Sequence, residues 1–276
     1  MQTKILLIKY IVFTSLIFIV NYCYAYKLDS IEVYSNAMKK NIKSFIILPN
    51  DYQNNNKKYA VVYLLHGYNG SYQSWVKDAP NILKDADLYN LILVCPDGKN
   101  SWYINSPVMP EIQYSKYIAK ELIPFIDKNY RTFNNEFGRA ITGYSMGGHG
   151  AFYLALKNPN MFIAAGSICG GMDIKKFKNN WDLTKLLGDS LKQDNWVENT
   201  VIDLFKKEKQ PNFFIIFDCG LNDFFLDVNR DLHQQLLQQN IVHEYTERPG
   251  AHNKQYWKNS IDFQLLFFSK KLLRAN

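Results

Sequence analysis

Apolar positions along this chain fall into two recurring patterns. The first is short, nearly continuous runs, several of five to seven residues. They lie at 31–34, 42–48, 60–65, 91–95, 140–143, 163–169, 213–218 and 242–246. Runs of that length suit strands buried on both faces. The second is longer amphipathic stretches at 111–130, 147–157, 226–239 and 254–273, which read as helices. Strand and helix alternate, which predicts one α/β domain with a mostly parallel eight-stranded sheet and helices on both faces. No helical stretch separates the first two strands, so they are expected to pair antiparallel at one edge. The segment 170–211 breaks the alternation, separating two core strands by about forty residues where connections are usually much shorter. Its Trp181, Leu183, Leu186, Leu187, Trp196, Val197, Val201, Ile202 and Leu204 supply apolar surface for two or three short helices over the sheet edge. Such a helical insertion after the sixth strand is either a cap that shapes a substrate pocket or a purely structural addition.

The N-terminus differs in character. Lys4 and Lys9 precede an apolar run from residue 10 to residue 20, and Cys23-Tyr24-Ala25 follows. A charged start, an apolar centre and a small residue at the end form a secretory signal pattern over 1–25, cleaved after Ala25. The alternative is a membrane anchor, but the strictly apolar run is about ten residues, short of the ~20 that span a bilayer. Cys23 lacks the small residue before it that a lipid-attachment site has. The domain then covers 26–276, in an exported or periplasmic compartment.

Charge adds little. The formal net charge is +7, and residues 1–25 contain two of the lysines and no acid, so the remainder carries +5. Its basic residues are scattered apart from clusters such as Lys175-Lys176-Phe177-Lys178, with no groove pattern for nucleic acid. Cys95, Cys169 and Cys219 each follow an apolar run. An odd number does not suggest a disulfide framework, and they read as small buried residues near strand ends.

The candidate chemistry centres on Gly143-Tyr144-Ser145-Met146-Gly147. This G-x-S-x-G pentapeptide lies between a short strand-like segment and a helix-like one. That is the context of a nucleophile elbow, a sharp turn that lifts a serine hydroxyl above the sheet. A serine hydroxyl is a poor nucleophile until a histidine takes its proton and a carboxylate orients that histidine. On this architecture the chain order is serine, acid, histidine.

Of five histidines, His66 precedes the serine, and His149 sits on the elbow helix where its ring must fold back to reach Ser145. His233 lies in a helix and His243 in the last strand. His252 is in the turn Arg248-Pro249-Gly250-Ala251-His252-Asn253, between last strand and last helix, and is the expected base. For the acid, Asp223 lies in the loop after the strand 213–218 and can curl towards His252. Asp218 is at the strand end, where it is expected to orient the loop by bonding backbone N–H groups. Asp173 is a weaker alternative.

The oxyanion of the transition state needs donors. One is the backbone N–H of Met146, directly after the nucleophile. The other is expected from the loop Leu64-Leu65-His66-Gly67-Tyr68-Asn69-Gly70, with Tyr68 N–H as the donor. Tyr68, Tyr72, Trp75, Trp102, Tyr103 and Tyr144 cluster beside these loops, and Trp75, Trp102 and Tyr144 are candidates for a substrate pocket. Ordinary packing also accounts for aromatic residues in a chain that is 15% aromatic.

These residues together resemble the esterase D-like branch of the α/β-hydrolases. That branch includes feruloyl esterases attached to xylanases, tributyrin-type esterases, S-formylglutathione hydrolases and mycobacterial mycolyltransferases. The resemblance runs through Leu64-Leu65-His66-Gly67, Pro96-Asp97-Gly98, Ser101-Trp102-Tyr103 with Ser106-Pro107, and Glu121-Leu122-Ile123-Pro124. It continues through residues 143–151, Asp218-Cys219-Gly220 with Asp223-Phe224, and Pro249-Gly250-Ala251-His252, covering most of 40–270 in order. It implies an α/β-hydrolase fold and a Ser145, Asp223, His252 triad. It also implies a carboxylic ester or polysaccharide-linked ester as substrate, with no metal or organic cofactor. The export signal places the chain nearer the bacterial feruloyl and acetyl esterases than the cytosolic glutathione thioesterases. An acyltransferase on the same triad, an S-formylglutathione hydrolase-like thioesterase and, last, a non-catalytic binding module are the rival readings.

Overall fold

The computed structural model describes residues 27–273 except 190 and 209, so the signal pattern over 1–25 lies outside the described residues. Eight strands form one sheet: β1 (Lys27–Ser35), β2 (Lys40–Leu48), β3 (Ala60–Leu65), β4 (Leu91–Pro96), β5 (Arg139–Gly143), β6 (Ala164–Ile168), β7 (Phe214–Gly220) and β8 (Glu244–Arg248). Their order is β1-β2-β4-β3-β5-β6-β7-β8. β2 pairs antiparallel with both β1 and β4, and every other neighbouring pair is parallel. The antiparallel edge is as the sequence predicts.

Ten α-helices lie among the described residues. They are α1 (Ser74–Asp78), α2 (Ile82–Tyr89), α3 (Tyr114–Tyr117), α4 (Ile123–Asn129), α5 (Met146–Lys157), α6 (Leu183–Leu187), α7 (Gln193–Val197), α8 (Val201–Lys207), α9 (Leu226–Gln238) and α10 (Lys254–Lys271). The apolar strands feed two cores because successive side chains point to opposite faces. From β3, Val61, Tyr63 and Leu65 enter the core under α5, α8 and α9, beside Phe152, Phe205 and Phe217. Ala60, Val62 and Leu64 enter the other, beside Trp75 of α1 and Ile261, Leu265 and Phe268 of α10. Fully burying an aliphatic or aromatic side chain of this size contributes roughly 1.5–3 kcal/mol, so both layers are held firmly to the sheet.

Two expectations are corrected. The stretch 111–130 is not one helix: α3 and α4 flank a wide turn, Ile118–Leu122, in which the Ile123 N–H reaches back five residues to Ile118. Pro124 explains it, because its ring has no N–H to give to Lys120 and crowds that carbonyl. The last strand begins two residues later than its apolar run, leaving Val242 91% exposed, because pairing with β7 starts at Glu244. The insertion 170–211 forms α6, α7 and α8 after a short turn, Ile174–Phe177. Its α8 packs on α5 and α9, with Phe205 edge-on to Phe152 and Gln235 bonded to the Ile202 carbonyl.

Candidate active site

The loops that follow β3, β5, β6, β7 and β8 all leave the same edge of the sheet, the usual place for chemistry on such a fold. After β5 the chain turns sharply at Ser145, whose φ of 57° and ψ of −121° are unusual for a side-chain-bearing residue. Holding a residue there costs about 1–3 kcal/mol, which the buried strand and helix on either side offset. Close packing demands glycine at both flanks. A Cβ on Gly147 would lie 2.2 Å from the Leu65 carbonyl oxygen, and one on Gly143 would lie 2.5 Å from the Gly147 backbone. α5 starts at Met146, so the positive end of its backbone dipole sits directly under the Ser145 hydroxyl.

His252 Nε2 lies 2.9 Å from Ser145 Oγ, and His252 Nδ1 lies 2.7 Å from Asp223 Oδ2. A carboxylate accepts and does not donate, so Nδ1 carries the proton, and Nε2 is left to accept the Ser145 O–H. Asp223 is itself fixed. Its other oxygen accepts the Phe225 N–H at 2.8 Å, and its own N–H donates to the Gly220 carbonyl at 3.0 Å. The acid and histidine loops are tied together, since the Leu221 N–H donates to the Arg248 carbonyl and the Asn222 N–H to the Gly250 carbonyl. One residue past His252, the Asn253 side chain caps α10 by accepting the Tyr256 N–H.

The other histidines are engaged elsewhere. His149 is fully buried, with Nε2 2.9 Å from the Asn199 carbonyl, and burial pushes its pKa down to about 4. His233 and His243 face each other, 2.7 Å apart. His66 accepts the Gly98 N–H at Nε2, which leaves its Nδ1–H to donate to the Gly67 carbonyl.

Asp218 does not bond backbone N–H groups as expected. Its carboxylate receives Ser260 Oγ and Gln264 Nε2 and lies 3.4 Å from Arg248, tying β7 to α10. Burial pushes its pKa up against the pull of those partners. Its side chain points into the layer beneath the strand rather than along the loop. Asp173 caps the turn at 174–177 and lies outside the cluster. Cys95, Cys169 and Cys219 are buried free thiols, and burial raises the pKa of Cys95.

A cleft of about 340 Å³ opens over Ser145 and His252. Of the three aromatic candidates, Trp102 and Tyr144 line it, and Trp75 does not. Trp75 is fully buried on the inward face of α1 and meets the Tyr144 ring edge-on at 4.9 Å, so it supports the wall from behind. The remaining walls come from Tyr68, Trp181, Phe224 and Trp257, with Asp78 and Ser74 as polar groups. Trp181, Phe224 and Trp257 are cleft residues that the sequence pattern does not single out. Phe224 follows Asp223 directly, and Trp257 lies five residues beyond His252 on the first turn of α10, so adjacency to the acid and the histidine was the available signal. Trp181 comes from the insertion, and its ring stacks on Phe224 at 5.6 Å.

The strand order, the elbow and the Ser145–His252–Asp223 contacts define a serine hydrolase of the α/β-hydrolase fold. Residues 35–268 match the family model described as "Putative esterase", and the chain belongs to that family. It is 28% identical over 265 residues to an acetyl esterase of Caldicellulosiruptor saccharolyticus, covering 87% of this chain and 97% of that one. An esterase of Mycobacterium tuberculosis is matched over only 51% of its own length. Among solved structures, a substrate-bound fluorophosphonate-binding serine hydrolase F of Staphylococcus aureus superposes with a TM-score of 0.81 at 21% identity. That match covers 88% of this chain and 98% of the other. A ferulic acid esterase superposes at 0.79 and 24% identity, covering 90% and 100%. The protein is therefore a carboxylic ester hydrolase with an eight-stranded, mostly parallel sheet.

Proposed function

We propose that this esterase works through an acyl-enzyme on Ser145, with His252 as base and Asp223 as the residue that orients it. Ser145 Oγ attacks the ester carbonyl while its proton passes to His252 Nε2. Asp223 keeps the proton on Nδ1 and stabilises the imidazolium. The Met146 and Tyr68 N–H groups hold the oxyanion. The Tyr68 assignment is supported by the peptide joining it to Gly67. That peptide's carbonyl accepts both the His66 Nδ1–H and the Gly70 N–H. In a planar trans peptide the N–H points opposite to the C=O, so Tyr68 N–H is turned away from His66. His252 then gives its proton to the leaving alcohol and activates water, which releases the acid.

The observation that carries this reading is His252 bridging Ser145 and Asp223 at 2.9 and 2.7 Å. The six aromatic residues of the cleft suit an acyl group with an apolar or aromatic body, including feruloyl esters of plant polysaccharides. Lys4, Lys9 and the apolar run after them support export of the mature domain, and among the described residues no helix is long and apolar enough to cross a membrane. The test is turnover of p-nitrophenyl acetate and of a feruloyl ester by wild type and by Ser145→Ala. Wild type should hydrolyse both. The variant should lose at least about 10³-fold in kcat while keeping its melting temperature. Near wild-type turnover by the variant would sink the reading.

A further inference from the structure

Trp181 and Asp182, between the 174–177 turn and α6, both adopt left-handed backbone angles, with φ of 51° and 58°. Consecutive residues with side chains rarely do so unless their surroundings impose it. Two hydrogen bonds from outside the insertion hold this pair. Trp102 Nε1–H donates to the Trp181 carbonyl at 3.2 Å, and the Tyr68 hydroxyl donates to Asp182 Oδ2 at 2.5 Å.

The residues on either side of Tyr68 have other anchors. Gly67 is held through its carbonyl by His66, and Asn69 exchanges two hydrogen bonds with Asn100. The Tyr68 hydroxyl, which the Asn100 side chain also reaches, is tied across the cleft to the insertion by its bond to Asp182. We propose that Asp182 is a positioning residue for ester hydrolysis: by accepting the Tyr68 hydroxyl it aligns the Tyr68 backbone N–H with the developing oxyanion. The proposal rests on the reading of Tyr68 N–H as an oxyanion donor given above. Burial and the facing carboxylate push the Tyr68 phenol up to about 12, so it remains a donor throughout the working pH range of an esterase. A charge-assisted O–H···O⁻ bond of this length is among the stronger side-chain contacts, although solvent reaches Asp182.

A bond that merely docked the insertion would act on substrate affinity. A bond that aligns an oxyanion donor acts in the transition state, on kcat. The experiment compares Tyr68→Phe, Asp182→Ala, Asp182→Asn and the Tyr68→Phe/Asp182→Ala double variant with wild type. It reads kcat and KM on p-nitrophenyl acetate, the rate of Ser145 labelling by a fluorophosphonate, and the melting temperature. Tyr68→Phe and Asp182→Ala should each lower kcat about fivefold with KM within about twofold and melting unchanged, a partial loss beside the 10²–10³ of deleting a donor. The double variant should be no worse than either, and Asp182→Asn, whose amide oxygen still accepts, should recover most of the loss. An unchanged kcat in both single variants, a raised KM at constant kcat, or additive losses would each overturn the proposal while leaving Ser145 chemistry intact. Absence of Ser145 labelling in wild type would overturn the ester-hydrolysis reading itself and this proposal with it.

Discussion

Asp223 holds His252 Nδ1 at 2.7 Å through an oxygen with no exposure to solvent, and so decides which imidazole nitrogen faces Ser145. Asp223→Asn keeps the shape of that contact but can present an N–H to Nδ1, which then has to accept and leaves Nε2 protonated. The base is thereby lost without a change in packing. Expected kcat falls roughly 10³–10⁴-fold, with circular dichroism and melting temperature near those of wild type. A loss below tenfold in steady-state kinetics would show that His252 does not depend on Asp223 for its tautomer.

The proposed mechanism makes His149 a structural histidine and His252 the reactive one. His149 is buried neutral against Trp102 and Tyr153, 5.3 and 5.9 Å between ring centres, with one bond to the Asn199 carbonyl. His149→Phe should lower the melting temperature, since that carbonyl loses its donor, yet leave fluorophosphonate labelling of Ser145 in place. His252→Asn should do the reverse. Gel readout of both variants beside their melting curves checks the pair, and failure of His149→Phe to label while folded would reassign the base.

Gly147→Ala tests the tightness of the elbow. The added methyl would meet the backbone of Leu65 and His66 at 2.2–2.7 Å, atoms that cannot swing aside. A destabilisation of at least about 3 kcal/mol, roughly 6–12 °C for a chain of this size, is expected in thermal melts. A shift under about 2 °C would mean that β3 and α5 pack less closely than described.

Asp85 on α2 supplies a pH dependence separate from catalysis. Burial, then the facing Asp262 carboxylate of α10, push its pKa up to about 7 from 3.8. The folded state therefore binds this proton more tightly than the unfolded chain. The stability it contributes is fully present below about pH 4 and is lost as pH rises through 7. Asp85→Asn, which cannot ionise, should melt higher than wild type at pH 8, with the gap closing towards pH 4. Parallel melts across that range check the sign; a gap that widens on acidification would contradict it.

Much of this could be read from the sequence because each signal was local. Ser145 declares itself through flanking glycines, and His252 through a Pro-Gly turn between the last strand and helix. Asp223 follows from lying beyond a strand end, where a loop can reach across. Other features depend on which way a side chain faces after packing. Trp75 lies beside the right loop, but α1 turns it inward behind Tyr144. Asp218, at the strand end, is expected to orient the loop through backbone N–H groups, but the strand's alternation aims it at Ser260 and Gln264. Trp181 reaches the cleft through a strained pair in the insertion, which no periodicity marks. The break in the helix at 118–122 follows from Pro124, whose effect falls several residues upstream of it.

The most direct test of the central claim is peptide mapping by mass spectrometry after reaction of the folded protein with a fluorophosphonate. The account predicts one covalent adduct on the peptide carrying Ser145. It should form rapidly in wild type and be absent in Ser145→Ala, and it should be slowed by orders of magnitude in His252→Asn and Asp223→Asn. An adduct on another serine, or equal labelling of wild type and His252→Asn, would contradict it.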